Sequence, residues 1–134
     1  MSLELHTGAE VPILRFAADP ASMVAVTLLT GDPNPIHFDT KATARLGLGD
    51  RPVNQGAITM AYPVNAVMAW ISPHWRVARV RVRFQGNVVA GDVVEVGGTV
   101  VDSEGGSRAR IEVWARLLSG RTVLDGEIAV VRNV

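Results

Sequence analysis

Residues 56–70 read Gly-Ala-Ile-Thr-Met-Ala-Tyr-Pro-Val-Asn-Ala-Val-Met-Ala-Trp and are apolar around almost the whole circumference of a helix. A helix of this length rises only about 23 Å, which is shorter than the roughly 30 Å hydrocarbon core of a bilayer. The stretch therefore predicts a helix that is buried on all sides within the protein. Pro63 either kinks this helix or marks its true start, because proline cannot donate the interior hydrogen bond.

After this helix the hydrophobic period changes to two, which is typical of strands. Val80, Val82 and Phe84 alternate with arginines over residues 77–84, so we expect them on one face. The arginines would form a solvated face, or would meet the phosphates of a coenzyme A group. Further strands are predicted at residues 93–101, 108–118 and 123–131, with glycine-containing turns between them. One apolar helix followed by antiparallel strands predicts an α+β domain whose sheet wraps the helix, and a second copy would supply the sheet that covers its other side.

The region before the helix carries two helix-start signals. Residues 1–17 predict an edge strand or arm. Asp19 followed by Pro20 predicts a helix that runs to about Leu29, since Asp is a favoured N-cap and Pro a favoured first residue. Asp39 predicts the cap of a short helix over residues 40–46, which Gly47 would end.

Between these two helices lies Thr-Gly-Asp-Pro-Asn-Pro-Ile-His, residues 30–37. Each proline disfavours the α region for the residue before it, so Asp32 and Asn34 should be extended or turn-like, and the segment should be a stiff loop rather than a helix. The loop holds Asp32 and His37 in fixed geometry, as an acid–base pair requires. The alternative is structural: Asp32 makes a local Asx turn, and His37 fills a buried niche.

Composition narrows the function classes. The 134 residues suit one domain over residues 1–134, and the 13 basic and 13 acidic residues cancel, so nucleic acid is not an expected partner. No apolar run is long enough to span a membrane, and no signal-peptide pattern opens the chain. The absence of cysteine excludes disulfides and fits a cytoplasmic location. A hydrophobic content of 48% suggests that some apolar surface is buried between subunits.

Three motifs together resemble the MaoC-like (R)-specific enoyl-thioester hydratases of the hot-dog fold. They are the Gly-Asp-Pro-Asn-Pro-Ile-His loop, Arg-Pro-Val-Asn-Gln-Gly at residues 51–56, and Val-Ala-Gly-Asp-Val-Val at residues 89–94. The motifs occur in the family order, and the resemblance extends over nearly the whole chain. The loop is the specific signature, whereas a Gly-Asp turn alone is common.

The resemblance implies a mechanism. Asp32 and His37 would hold the water that adds to a trans-2-enoyl thioester, and either of them could be the base. The backbone N–H of Gly56, at the positive end of the buried helix, would stabilise charge on the thioester oxygen. Coenzyme A or an acyl carrier protein would carry the acyl group of the substrate as a thioester. The reaction would need no metal and no other cofactor. Three loop residues would support the pair: Gly31, Asn34 and Pro35.

Two positions depart from the family pattern. Where the family often has His this chain has Gln55, and where it often has Ser this chain has Ala61; both are candidate pocket residues. These departures motivate an alternative function, a non-catalytic or acyl-binding subunit that pairs with a related hot-dog chain. A homodimer or higher homo-oligomer is the expectation for an active enzyme. Thioester hydrolysis on the same fold is the least favoured alternative, because no separate hydrolase signature is present.

Overall fold

Five antiparallel strands form one sheet in the computed structural model, which describes residues 4–134. The strands are β1 (Glu10–Ala17), β2 (Trp75–Phe84), β3 (Val93–Glu104), β4 (Arg108–Leu117) and β5 (Thr122–Arg132). They lie side by side in the order β1-β3-β4-β5-β2. All four strands predicted in the second half are present, and β1 is the edge strand predicted within residues 1–17. Residues 1–3 of that predicted arm lie outside the described residues.

Three α-helices and a short 3₁₀ turn complete the fold. The helices are α1 (Pro20–Thr30), α2 (Thr40–Arg45) and α3 (Gly56–Trp70), and the 3₁₀ turn is Pro35–His37. The predicted caps are confirmed: the Asp19 carboxylate accepts from the backbone N–H of Ala21 at 2.9 Å, and the Asp39 carboxylate accepts from that of Lys41 at 2.9 Å. Because α3 begins at Gly56, the alternative that Pro63 marks its start is wrong.

The sheet wraps around one side of α3. The inner sheet face is lined by alternating aliphatic side chains, and Tyr62, Ala66 and Val67 of α3 are buried among the core residues. The other side of α3 is not covered within one protomer, since Met68 is 57% exposed. Within one chain the helix is therefore not buried on all sides, because five strands cover only one side of it, and the expectation that a second copy covers the rest stays a prediction. The predicted α+β architecture, with a sheet around an apolar helix, is confirmed.

Strand β2 alternates as the sequence predicts. Val80 and Val82 are half-buried on the inner face, opposite Ile128 and Gly126 of β5. Phe84 shares that face but is 50% exposed, because β2 is an edge strand and this residue is its last. No helix within residues 4–134 is both long enough and apolar enough to cross a membrane.

Candidate active site

His37 is a buried histidine whose ring is fixed by the backbone. It ends the 3₁₀ turn that begins at the second of the two prolines, and the residue is 7% exposed. Its Nδ1 lies 2.7 Å from the carbonyl oxygen of Val53. Because a carbonyl can only accept, Nδ1 carries the proton and donates it. In the neutral ring Nε2 is therefore an acceptor.

Asp32 uses its two carboxylate oxygens differently. Oδ1 accepts from the backbone N–H of Asn34 at 3.0 Å, which is the Asx turn of the structural interpretation. Oδ2 lies 3.3 Å from Nε2 of His37. The Asp32 side chain is 39% exposed while that of His37 is 8% exposed, so the carboxylate is accessible to solvent and the imidazole is buried. The structure brings together the two residues that the sequence singled out.

The loop that carries the pair is stiff, and it differs from the prediction in one respect. Asn34 is extended, with φ −64° and ψ 115°, and its side chain accepts from the backbone N–H of Ile36. The loop then closes in a turn of 3₁₀ helix that begins at Pro35, whereas the sequence predicted no helical residues. Proline is favoured at the first position of such a turn because its φ already fits. Within the loop, Gly31 is the left-handed C-cap of α1, with φ 67°.

Backbone hydrogen bonds tie this loop to the segment that leads into α3. The N–H of Val53 donates to the carbonyl of Ile36 at 2.8 Å, so this residue contacts the loop through both its backbone groups. The N–H of Asn54 donates to the carbonyl of Val88 at 2.7 Å, which joins the same segment to the residues before β3. Val53, which accepts the hydrogen bond from His37, therefore lies only three residues before the first residue of α3.

Gly56 is the exposed first residue of α3. No side chain caps this helix, and Gln55 accepts only through its backbone carbonyl, from the N–H groups of Ile58 at 3.1 Å and Thr59 at 3.2 Å. A Cβ atom at Gly56 would lie 3.2 Å from the Cζ atom of Phe84, so the absence of a side chain keeps space open beside the aromatic ring. This arrangement fits an exposed backbone donor at a positive helix end.

Two buried amide side chains precede Gly56. The Nε2 of Gln55 donates to the Met23 carbonyl at 2.7 Å and to the Thr27 hydroxyl at 3.0 Å, both on α1. The Nδ2 of Asn54 donates to hydroxyls of α3, at 3.1 Å to Thr59 and at 3.2 Å to Tyr62. The side-chain oxygens of both amides are buried without a hydrogen-bond partner within the described chain. Ala61, the other candidate pocket residue, is half-buried on α3.

The phenol of Tyr62 has a perturbed pKa. Burial raises the pKa of its phenol, and the charge of Asp19 acts in the same direction, whereas the hydrogen bond from Asn54 lowers the pKa. Its ring stacks on Phe16 of β1, with ring centroids 4.8 Å apart. Tyr62 therefore joins α3 to the sheet as a neutral side chain.

The sequence did not identify two partners within this site. One is the carbonyl of Val53, which has no sequence signal because every residue carries a carbonyl. The other is the contact between Gln55 and α1, whose partners are 28 and 32 residues away. Among residues 4–134 no group of three or more acidic or histidine side chains is arranged to hold a metal ion.

Comparison with solved structures finds similar folds at low identity. The unliganded (R)-hydratase PhaJ1 of Pseudomonas aeruginosa superposes with a TM-score of 0.84 at 21% identity, covering 96% of this chain and 83% of that one. An (R)-hydratase of A. caviae involved in PHA biosynthesis gives 0.84 at 21% identity, covering 96% and 97%. The ChsH1–ChsH2 complex of Mycobacterium tuberculosis gives 0.84 at 20% identity, covering 96% and 98%. These similarities confirm the predicted hot-dog fold.

Comparison with curated proteins finds no match. A protein-family model, described as the MaoC like domain, matches residues 4–119, which is most of the 134-residue chain. The predicted family relationship is thereby confirmed, and the chain belongs to the MaoC-like domain family.

Proposed function

We propose that this protein hydrates trans-2-enoyl thioesters and, in reverse, dehydrates (R)-3-hydroxyacyl thioesters. One observation carries the proposal. Nε2 of His37 and Oδ2 of Asp32 lie 3.3 Å apart, and both are acceptors when the ring is neutral and the carboxyl ionised. A water molecule that donates one hydrogen to each atom satisfies both acceptors and is held for reaction.

The proton balance follows from this arrangement. Nε2 of His37 takes one proton from the water, while the Asp32 carboxylate keeps hold of the other hydrogen. The water oxygen bonds to C3 of the enoyl group, and the C2=C3 π electrons move toward the thioester oxygen. The imidazolium then returns its proton to C2 on the same face, which gives syn addition. The pair ends in its starting protonation state.

The opposite wall of the proposed site stabilises the thioester oxygen. We assign this role to the N–H of Gly56, because this exposed residue begins the first turn of α3 and no side chain caps the helix. A helix N-terminus presents partial positive charge where negative charge develops in the transition state. The exposed Gly56 and half-exposed Asp32 allow a substrate to approach from solvent.

Coenzyme A or an acyl carrier protein would present the acyl group, and the proton transfers described need no redox cofactor. The cysteine-free sequence favours a cytoplasmic location. Dimerisation would cover the exposed side of α3, and Met68 on that side is 57% exposed. The acyl chain would lie beside α3, with Ala61 as the candidate pocket residue, whereas the side chain of Gln55 faces α1.

A second candidate function is that of one subunit in a hetero-oligomeric dehydratase. The similarity to the ChsH1–ChsH2 complex, and the replacement of the family His by Gln55, support this alternative. The Asp32–His37 geometry argues against a purely structural subunit, because a subunit without turnover has no need of the paired acceptors. We therefore favour a catalytically competent chain.

The test is a spectrophotometric assay with the purified protein and trans-2-enoyl coenzyme A thioesters from crotonyl upward. Wild-type protein should remove the enoyl absorbance. Asp32→Asn should lower turnover by about 10²–10⁴-fold, because it removes the charge but keeps an oxygen for the Asx turn. His37→Asn should do the same, since it removes Nε2 but offers an amide N–H to the Val53 carbonyl.

Asp39→Asn is the matched control, since Asp39 is an aspartate of the same region that caps α2. It should cost about 1 kcal/mol of stability or less without slowing turnover. Wild-type turnover in both Asp32→Asn and His37→Asn would reject the mechanism. Turnover that appears only when a related hot-dog chain is added would favour the hetero-oligomer.

A further inference from the structure

The Gln55 side chain joins two helices that carry opposite walls of the proposed site. Its amide donates to Met23 and to Thr27, which lie one turn apart on α1. Its backbone directly precedes Gly56, the first residue of α3. The residue is 5% exposed, and its hydrogen bond to Met23 is buried, whereas the one to Thr27 is partly buried.

The orientation of this amide is determined by its partners. The Met23 carbonyl can only accept, so the NH₂ group and not the oxygen must face α1. The Thr27 hydroxyl can donate or accept and adapts to the NH₂ group. A histidine at this position, as in the family pattern, would carry one N–H toward α1 at most.

Helix α1 leads directly into the loop that carries Asp32 and His37. It ends at Thr30, Gly31 caps it, and Asp32 follows. The last residues of α1 have little packing of their own, since Leu28 is 79% exposed and Leu29 is 86% exposed. The far end of the loop is held through Val53, whereas the near end depends on how α1 is held.

We propose that Gln55 is a positioning residue that sets the distance between Asp32 and the Gly56 amide by bonding α1 to the start of α3. This inference rests on the proposed hydratase function. Stability alone does not explain the side chain, because its oxygen Oε1 is buried with no partner among residues 4–134, and that cost opposes the two hydrogen bonds made by Nε2. A displacement of about 1 Å in a reacting group can slow catalysis by about 100-fold.

The primary test replaces Gln55 with Met, which has similar length and no hydrogen-bond donor. We expect kcat to fall by about 10–100-fold, with KM changed by less than about threefold, because the bound substrate is retained but misaligned. The melting temperature should stay within about 4 °C of wild type, since Thr27 can turn its hydroxyl to the carbonyl of Met23. Gln55→His should recover part of the lost kcat by donating one N–H to Met23.

A second variant approaches the same contact from α1. Thr27→Val keeps the shape and removes one acceptor of Gln55, so kcat should fall by several-fold. In combination with Gln55→Met it should add little, because both changes break one contact. Thr99→Val is the matched control, since Thr99 lies on the outer face of β3 opposite Glu112 and should leave kcat unchanged.

Hydrogen exchange of residues 27–37 gives a readout that does not depend on turnover. Gln55→Met and Thr27→Val should both accelerate exchange there, while Thr99→Val should not. Wild-type kcat and wild-type exchange in both variants would overturn the inference, as would a kcat loss that matches only the loss of folded protein. If wild-type protein hydrates no thioester, the proposed function fails, and the exchange result alone still accepts or rejects the contact. Should Gln55→Met fail to fold, Thr27→Val decides.

Discussion

At the residue scale, the carboxylate of Asp32 serves structure and proposed chemistry at once. Its Oδ1 completes the turn at Asn34, and its Oδ2 faces His37. The structural and the catalytic interpretations of this residue are therefore compatible, because they use different atoms. The sequence predicted the pair, since two prolines and the spacing restrict the loop. It did not predict the carbonyl of Val53 that fixes the histidine ring, because a backbone acceptor 16 residues away leaves no trace in side-chain pattern.

Tyr62 makes the stability of the protein depend on pH in the alkaline range. Burial, with a contribution from Asp19, raises the pKa of its phenol above the ordinary value of 10.0, so the folded state holds the proton more tightly than the unfolded state. This contribution to stability is complete below pH 10.0 and is lost as pH rises through the folded pKa. Denaturant unfolding of wild type and Tyr62→Phe, below and above that pH, should show a weaker alkaline loss in the variant.

At neutral pH the same variant should be less stable by roughly 0.5–1.5 kcal/mol, because Phe removes the hydroxyl that accepts from Asn54. The stacking on Phe16 should persist, since the aromatic ring is unchanged. An identical alkaline loss in wild type and Tyr62→Phe would show that other groups control the pH dependence.

At the element scale, α3 begins at Gly56, and the Gln55 side chain at the N-cap position makes no capping hydrogen bond. Gly56→Ala should leave the free energy of unfolding within about 1 kcal/mol of wild type, because alanine favours the helix while its Cβ crowds Phe84. The half-exposed ring of Phe84 can shift to relieve that contact. The added methyl group stands where the thioester must approach, so kcat/KM should fall by about 10–100-fold. Enoyl hydration kinetics and denaturant unfolding of the same preparation check both expectations.

Gly86→Ala is the control for that substitution. A Cβ at Gly86 would meet the guanidinium of Arg121 at 3.1 Å, and this flexible group can move aside. The variant should match wild type in turnover. Equal turnover in Gly56→Ala and Gly86→Ala would remove the basis for an oxyanion role at Gly56.

The elements themselves were largely predictable, and their mutual contacts were not. Asp19, Asp39 and Gly47 mark helix ends through local hydrogen bonding and φ preference, so the sequence located α1 and α2 well. Pro63 left the start of α3 open, because a proline is compatible with both a helix start and an interior kink. The contact between Gln55 and α1 was not predictable, since it depends on how two helices pack rather than on either helix alone.

At the scale of the whole molecule, one protomer leaves its central helix half covered. The sheet buries one side of α3, and β2 stands at the sheet edge with only β5 beside it among the described strands. An unpaired edge strand next to an exposed apolar helix face is unfavourable in water. A second copy would cover both, which is why the apolar helix at residues 56–70 predicted more burial than a single chain provides.

Sedimentation velocity over a range of concentrations should therefore show wild-type protein as a dimer or larger homo-oligomer. Met68→Glu should weaken association by about 10–100-fold, since burial of a methionine contributes about 1.5–3 kcal/mol and each 1.4 kcal/mol is a tenfold change in affinity. Leu118→Glu is the matched control, because Leu118 is similarly exposed, at 55%, but follows β4 in a turn remote in sequence from α3. Equal weakening by both variants would indicate a different interface. A wild-type chain that stays monomeric until a related hot-dog chain is mixed with it would show that the covering sheet comes from that partner, because the exposed side of α3 must then be buried by a different sequence.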